Sequence, residues 1–462
     1  MEHSWQSDHL PKLEVSNLET GDVAVCGSFA EAGPILSELD RDRVAFVAPL
    51  GSRSDLEWLL RGLQLHPNIR QLVICGDDQR LTGEALLALW QAGLDESGRL
   101  SDSRGSLSPE LDAASVDALR DDVRISDWRS QPLAEVASNL RQLPALSRNR
   151  ELQTLPNPEI PERKIFHSRK STFPIFASGV GDGWLQLLNL ALRIGAEKQT
   201  ANGERMAEAL NAVVTIEPPT LEDGGKQLEA EFPDFLDFNQ DEFDRRYFPC
   251  YDERLRDWNG IDQLEAVCDR LNKSLDTRSG SMVFLEPDDM ARSKVGSGLI
   301  SATFNAVDQQ LCASFVLRSE DLYTDWPLEA TALIRLQREV AKRTGLEAGA
   351  ATFVIHSAHL YERDWARALR VLKEHFKRPL PLQVDPSGIF LFGNDGGKAT
   401  AMLLDHSAST IFWEEGFSDP EDLSWYIVDV MPWLLPQHIR YVGQECAALM
   451  RAIRESECYV QG

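Results

Sequence analysis

Two stretches, Ala313-Ser314-Phe315-Val316-Leu317-Arg318-Ser319-Glu320-Asp321 and Thr352-Phe353-Val354-Ile355-His356-Ser357-Ala358-His359-Leu360-Tyr361, decide how the middle of this chain folds. Each opens on an apolar run of strand character and ends in polar groups. The first delivers Arg318 and Ser319 together at a strand end, where a fork of guanidinium donors and a hydroxyl can grip a phosphate. The second sets His359 and Tyr361 two residues apart, hence on one side of an extended chain, with polar tips suited to a sugar hydroxyl. Between them a turn at Trp326-Pro327 leads into Leu333, Leu336 and Val340, the spacing of a helix with one buried face, and Gly345 closes it.

This order resembles the signature of thymidylate synthase: arginine-serine-x-aspartate, a helix, then histidine-x-tyrosine. Upstream, Gly260-Ile261-Asp262-Gln263 opens a helix that ends before Thr277-Arg278, similar to the family's glycine-x-isoleucine-aspartate-glutamine helix and its arginine pair. Gly183-Trp184 with Leu185, Leu187 and Leu188, then Asn211 through Pro218, resemble the opening helix and first strand, especially of archaeal-type members. The likeness covers roughly Lys164 to Arg378. It implies that Arg318 and Ser319 bind a nucleotide phosphate and that Arg278 adds a charge from the second subunit of a homodimer. His359 and Tyr361 would hold the deoxyribose hydroxyl, and Asp321 would help fix the site. The implied partner is a pyrimidine nucleoside monophosphate, and the implied chemistry is methyl or hydroxymethyl transfer from a reduced folate or methanopterin. Without the family, Arg318 with Asp321 reads as a surface ion pair and His359 as a core histidine.

Two departures concern the chemistry. Methylation at C5 of a pyrimidine needs a thiolate to attack C6, and the family places that cysteine before an apolar strand. Here the aligned stretch is Val295-Gly296-Ser297-Gly298-Leu299-Ile300, with Gly298 where the cysteine should be. Cys312 shares a strand face with Arg318 but lies six residues away, about 20 Å at roughly 3.3 Å per residue, and Ser297 has no evident base beside it. No catalytic residue is assigned. The second departure is Glu329, where thymidylate synthases carry an asparagine. An ionised glutamate offers acceptors only, which disfavours uracil O4 and favours an exocyclic amine. The related cytidylate hydroxymethylases carry an aspartate there, so a cytosine nucleotide or another amine-bearing ligand is the better expectation.

At 462 residues the chain is too long for one ordinary core, and it contains no apolar run long enough to span a membrane. A formal charge of −26 argues against a nucleic-acid backbone or an anionic membrane as partner, while leaving room for a free nucleotide in a basic pocket. The acid is concentrated between Glu217 and Asp244, read as a solvated surface insertion. Seven scattered cysteines indicate neither a metal site nor a disulfide framework, and with the polar opening residues they make a cytoplasmic location the expectation.

Ahead of the central domain, Val23-Ala24-Val25, Val44-Ala45-Phe46-Val47 and Leu72-Val73-Ile74-Cys75 alternate with helical runs. One helix starts on a Ser54…Glu57 capping box and another spans about Thr82 to Ala92. The pattern predicts a doubly wound parallel sheet whose ligand end is Gly27-Ser28 and Gly76-Asp77-Asp78. The residues Val25-Cys26-Gly27-Ser28, Ala32-Gly33-Pro34, His66-Pro67-Asn68-Ile69-Arg70, Ile74-Cys75-Gly76 and Thr82-Gly83 resemble the corrinoid-carrying subunit of tetrahydromethanopterin S-methyltransferase. Where that family has a cobalt-ligating histidine this chain has Arg80, which cannot coordinate cobalt, so a corrinoid is not expected.

A proline-rich linker follows, then, after Pro379-Leu380-Pro381, a hairpin of Ile389–Phe392 with Ala401–Leu404 and two helices. This tail resembles a small uncharacterised domain and reads as packing or assembly, with His438 structural. The expected organisation is therefore 20–142 methyltransferase-subunit-like, 143–163 linker, 164–378 thymidylate-synthase-like α/β, and 379–462 a small α+β accessory domain. Two functions of different class follow: a one-carbon enzyme of pyrimidine nucleotides, or a catalytically silent nucleotide-binding or assembly protein. Corrinoid-linked methyl transfer is a third.

Overall fold

A computed structural model describes residues 13–27, 36–37, 39–50, 53–76, 78, 82–95, 99–100, 107, 111–146, 161–200, 204–216, 228, 231–232, 254–287, 289, 298–376 and 385–462. The readings of Ser28, Asp77, Arg80, Ser297, the Ser54 side chain and most of the linker lie outside the described residues. The chain divides into two compact units, residues 1–377 and 378–462.

The first sheet is built from β1 (Glu14–Val15), β2 (Val23–Gly27), β3 (Val44–Pro49), α1 (Arg53–Leu65), β4 (Gln71–Cys75), α2 (Thr82–Ala92), α3 (Ala113–Asp122), β5 (Arg124–Trp128) and α4 (Leu133–Gln142). Its order is β1-β3-β2-β4-β5, parallel except for β1. The uninterrupted apolar strands have both faces to bury. Ala24, Cys26, Phe46 and Ile74 pack under Leu59, Leu86 and Val116 of α1 to α3. On the other face Val25, Val47 and Val73 meet Val136 and Leu140 of α4. The sheet is thus doubly wound, and its order reverses between β2 and β4, where Gly27 pairs with Cys75.

The central sheet has eight strands, carried by β6 (Phe173–Ala177), α5 (Val180–Ile194), β7 (Ala196–Gln199), β8 (Arg205–Ile216), α6 (Gln263–Lys273), β9 (Ser281–Val283), β10 (Leu299–Val307), β11 (Gln310–Leu317), β12 (Glu320–Asp321), α7 (Trp326–Thr344), β13 (Glu347–Tyr361) and α8 (Trp365–His375). The main order is β6-β8-β13-β11-β10-β9, with β12 on β13 and β7 on β8. Asp262 caps α6 by accepting the Glu265 N–H at 2.8 Å. Trp326 and Pro327 form no separate turn but the first turn of α7, where proline's missing N–H has no helical partner to lose. Gly345, at φ +70°, closes that helix in the left-handed conformation.

The connection β11-α7-β13 joins two parallel strands. Fully buried Gln337 ties the helix across both, its Nε2 donating to the carbonyls of Leu311 (2.7 Å) and Gly349 (2.9 Å). Phe315 stacks on Phe353, and Trp326 packs edge-on to Phe353. The acidic stretch 217–244 is not wholly solvated, for Leu228 and Phe232 are buried in this core, with Phe232 edge-on to Trp184 at 5.2 Å. Apolar anchoring outweighs the surrounding charge at those two positions.

The second unit contains β14 (Ile389–Asp395), β15 (Lys398–Leu404), β16 (Ile411–Phe417), α9 (Pro420–Val430) and α10 (Pro436–Glu455). The expected hairpin gains a third antiparallel strand, β16. The helices cover one face through Leu423, Ile427, Val442 and Leu449. His438 lies 3.0 Å from Asp385 and edge-on to Phe390, a packed position. Among the described residues no helix is long and apolar enough to cross a membrane, and no group of three or more His, Cys, Asp or Glu has a metal-holding arrangement.

Candidate functional site

The parallel register runs from β11 into β12. Leu317 pairs with Ile355, Glu320 with Ala358 and Asp321 with His359, so the two decisive stretches lie side by side at their polar ends. The Leu322 N–H donates to the His359 carbonyl at 2.9 Å, and the Asp325 N–H to the Asp321 carbonyl at 3.0 Å, fixing the start of α7 to the same corner.

His359 and Tyr361 do share a side, with ring centroids 5.0 Å apart and edge-on. Burial holds the imidazole pKa below its ordinary value, favouring the neutral ring, against the raising effects of its contact with the Ser357 carbonyl and of Asp325 and Glu208. The positive charge of Arg318 also lowers it. Next to Arg318, the Ser319 hydroxyl lies 3.5 Å from Nη1.

Asp321 is more constrained. One carboxylate oxygen accepts the N–H groups of Tyr323 and Thr324 at 3.0 and 3.4 Å, while the other lies 3.5 Å from Arg363. Burial, reinforced by Asp325 and Asp364, pushes its pKa up to about 7. The nearby guanidinium does not prevent this because it is shared with Glu204 and Asp364. Glu329 is buried in the first turn of α7, where the helix N-terminus favours a carboxylate.

Arg278 is not brought to this corner. It is exposed in the loop after α6, two residues from Gly280, whose carbonyl receives the Phe304 N–H at 2.7 Å. Phe304 is six residues along β10 from Gly298, about 20 Å in a strand. Gly298, in contrast, adjoins Arg318, whose N–H donates to its carbonyl at 2.9 Å. Among the described residues a Cβ built on Gly298 would meet only the Ser319 carbonyl oxygen, at 3.5 Å, an ordinary contact. Cys312 lies on β11, on the face shared with Ser314 and Val316 but at the opposite end of the strand from Arg318.

The sequence reading missed three parts of this surrounding. Glu208 of β8 is directly across from His359, is ion-paired to Lys198 and accepts from the Ser357 hydroxyl at 2.6 Å. Burial would raise its pKa, but these two partners outweigh that and hold it lowered. Arg363 covers the Tyr361 ring at 4.1 Å. A cleft of about 290 Å³ opens at the start of α5, lined by Ser178, Asp182, Glu231, Phe232 and His375 among others. Trp184 links Phe232 of this cleft to the Asp321 loop: it meets Phe232 on one side and Tyr323, at 5.7 Å, on the other, and donates to the Leu322 carbonyl at 2.7 Å.

The family model described as thymidylate synthase matches residues 231–391, and one described as PterinBD-DUF4346 matches 384–462. A "Putative thymidylate synthase" of Methanothermobacter thermautotrophicus is 29% identical over 219 residues, 44% of this chain and 99% of the relative. The protein of the same name from Methanosarcina acetivorans is 30% identical over 207 residues, 43% of this chain and 94% of the relative. A "Thymidylate synthase" of Mycoplasma pneumoniae is 26% identical over 144 residues, 31% of this chain and 50% of the relative. Through its central domain, with the arginine-serine and histidine-x-tyrosine strands side by side, the chain belongs to the thymidylate synthase family.

Proposed function

We propose that the central domain binds a pyrimidine nucleoside monophosphate at the joined ends of β11, β12 and β13. Arg318 and Ser319 take the phosphate, with His359 and Tyr361 on the sugar. The observation that carries this reading is the pairing of Asp321 with His359, which gathers the groups of both stretches into one corner. Buried Glu329 offers acceptors to the base, favouring one with an exocyclic amine. Arg278 acts from a second copy of the chain in a homodimer, which accounts for its distance from the corner within one copy.

The reaction in this proposal is one-carbon transfer, methyl or hydroxymethyl, with a reduced folate or methanopterin as donor. The group would sit in the cleft at the start of α5, where Phe232 gives an apolar edge and the carboxylates of Asp182 and Glu231 are the acceptor type that ring and amino N–H groups need, Asp182 already accepting from Ser178 and Gln186. A reduced pterin bound there supplies the one-carbon unit. The chain's own residues hold and orient the nucleotide, and Asp321, buried and with its pKa near neutrality, can hold a proton beside it. The match of residues 384–462 to the family described as PterinBD-DUF4346 supports a pterin on this chain. On this reading residues 20–142 form a domain of the methyltransferase-subunit type without a corrinoid.

Gly298 favours a second reading, because activation of C5 by a thiol has no group at that position; the domain is then a nucleotide receptor without turnover. Thermal unfolding against each pyrimidine and purine monophosphate tests the binding both readings share, since a ligand of the folded state raises Tm. A shift with one pyrimidine monophosphate, lost in Arg318→Ala, is expected. No shift with any of them overturns both readings. Mass analysis of the nucleotide after incubation with methylene-tetrahydrofolate or methylene-tetrahydromethanopterin then separates them.

A further inference from the structure

A run of buried charges leads from the proposed nucleotide corner into the first sheet. Arg363 stands over the Tyr361 ring and lies 3.5 Å from Asp321, while its guanidinium also pairs with Glu204. It approaches Asp364 at 3.3 Å, and Asp364, wholly buried, lies 3.9 Å from Arg367 one turn into α8. Arg367 pairs with Glu57 of α1, more than 300 positions earlier in the chain. All six side chains are at most 10% exposed, so none can replace a lost partner with bulk water.

Four carboxylates, Glu57, Glu204, Asp321 and Asp364, share two guanidiniums, Arg363 and Arg367. A buried cation that loses one carboxylate moves toward the next, because an unpaired charge in the interior is strongly disfavoured. Without Glu57, Arg367 turns to Asp364; Asp364 then holds Arg363 less, and Arg363 settles on Glu204. Asp321 and the Tyr361 ring lose the group between them.

We propose that Arg363 is a positioning residue for the nucleotide corner, and that Glu57 of the first sheet completes the device through Arg367 and Asp364. The first domain is thereby part of the site without touching its ligand. The effect on affinity rests on the nucleotide reading; the effect on the Asp321 loop does not.

The test uses the full chain with Glu57→Gln, Arg363→Gln, and a double variant, Glu57→Leu with Arg367→Leu, that keeps an apolar contact between the domains but removes the ionic path. Amide hydrogen exchange is read first, without ligand, at Tyr323 and Thr324, whose N–H groups Asp321 accepts. All three variants should exchange several-fold faster there, with β11 unchanged. Exchange raised only in α1 and α8, or normal at Tyr323 and Thr324 in the double variant, would make the pair a plain fastening and overturn the proposal. Nucleotide affinity is read second: Glu57→Gln should weaken the bound pyrimidine monophosphate about tenfold, within the usual range of coupling between sites, and unchanged affinity counts against the relay. If wild-type protein binds no nucleotide, that reading fails by itself, and the exchange result still decides this one.

Discussion

Replacing Asp321 by Asn removes one titrating group and the 3.5 Å contact with Arg363, while Asn Oδ1 can still accept the Tyr323 N–H now held at 3.0 Å. The wild-type carboxyl is shifted by burial, then by Asp325 and Asp364, from 3.8 to about 7. At about 1.36 kcal/mol per unit, that displacement corresponds to roughly 4 kcal/mol between the fully protonated and fully ionised limits. The sign follows from proton binding. Between about pH 4 and 7 the folded state holds a proton that the unfolded state has released, so stability is fully present below about pH 4 and is lost as pH rises through about 7. From pH 5 to 8 the wild type should lose up to about 3 kcal/mol relative to Asp321→Asn, which cannot titrate. Urea unfolding of both proteins at each pH unit across that window measures the difference. A gap that stays constant, or that moves against the Asn variant as pH rises, would mean that Arg363 keeps Asp321 ionised throughout, and would refute the account of this corner.

Gly298→Cys should fold with a stability change within about 1 kcal/mol, because its Cβ meets only ordinary contact. On the proposed reading the new thiol should catalyse exchange of the C5 hydrogen of a bound pyrimidine monophosphate in deuterated water, where wild type does not. Binding without exchange would remove Gly298 as the position of the missing nucleophile. Trp184→Phe leaves the buried Leu322 carbonyl without its 2.7 Å donor and should cost about 1–3 kcal/mol in urea unfolding. A loss below about 0.5 kcal/mol would show that the carbonyl finds another partner.

The strand-helix-strand unit from Ala313 to Tyr361 was legible because its hydrophobic period switches from two to nearly four and back, and Gly345 marks the stop. The corner it forms was legible for the same reason, since its groups sit inside that unit. Trp326-Pro327 misled because proline marks turns and first helical positions alike. β16 was hidden by its own composition: Glu414, Glu415 and Gly416 interrupt its apolar residues, as an edge strand with an open side permits. Leu228 and Phe232 were masked by the acids around them. Glu208, Arg363 and Glu57 lie about 40 to 310 positions from their partners in the sequence, and only the register of the sheet and the docking of α8 bring them together. No local pattern encodes such a meeting.

Gly298 lies just ahead of β10, whereas Arg318, Asp321, His359 and Tyr361 belong to the crossover that follows it. On the proposed reading, recognition and chemistry are written on separable pieces of chain, which meet where the Arg318 N–H donates to the Gly298 carbonyl. A lineage with this architecture would gain or shed a nucleophile by changing one codon, because a Cβ at Gly298 makes only ordinary contact among the described residues. The proposed nucleotide corner would then serve a catalyst or a sensor alike, with no rebuilding between the two.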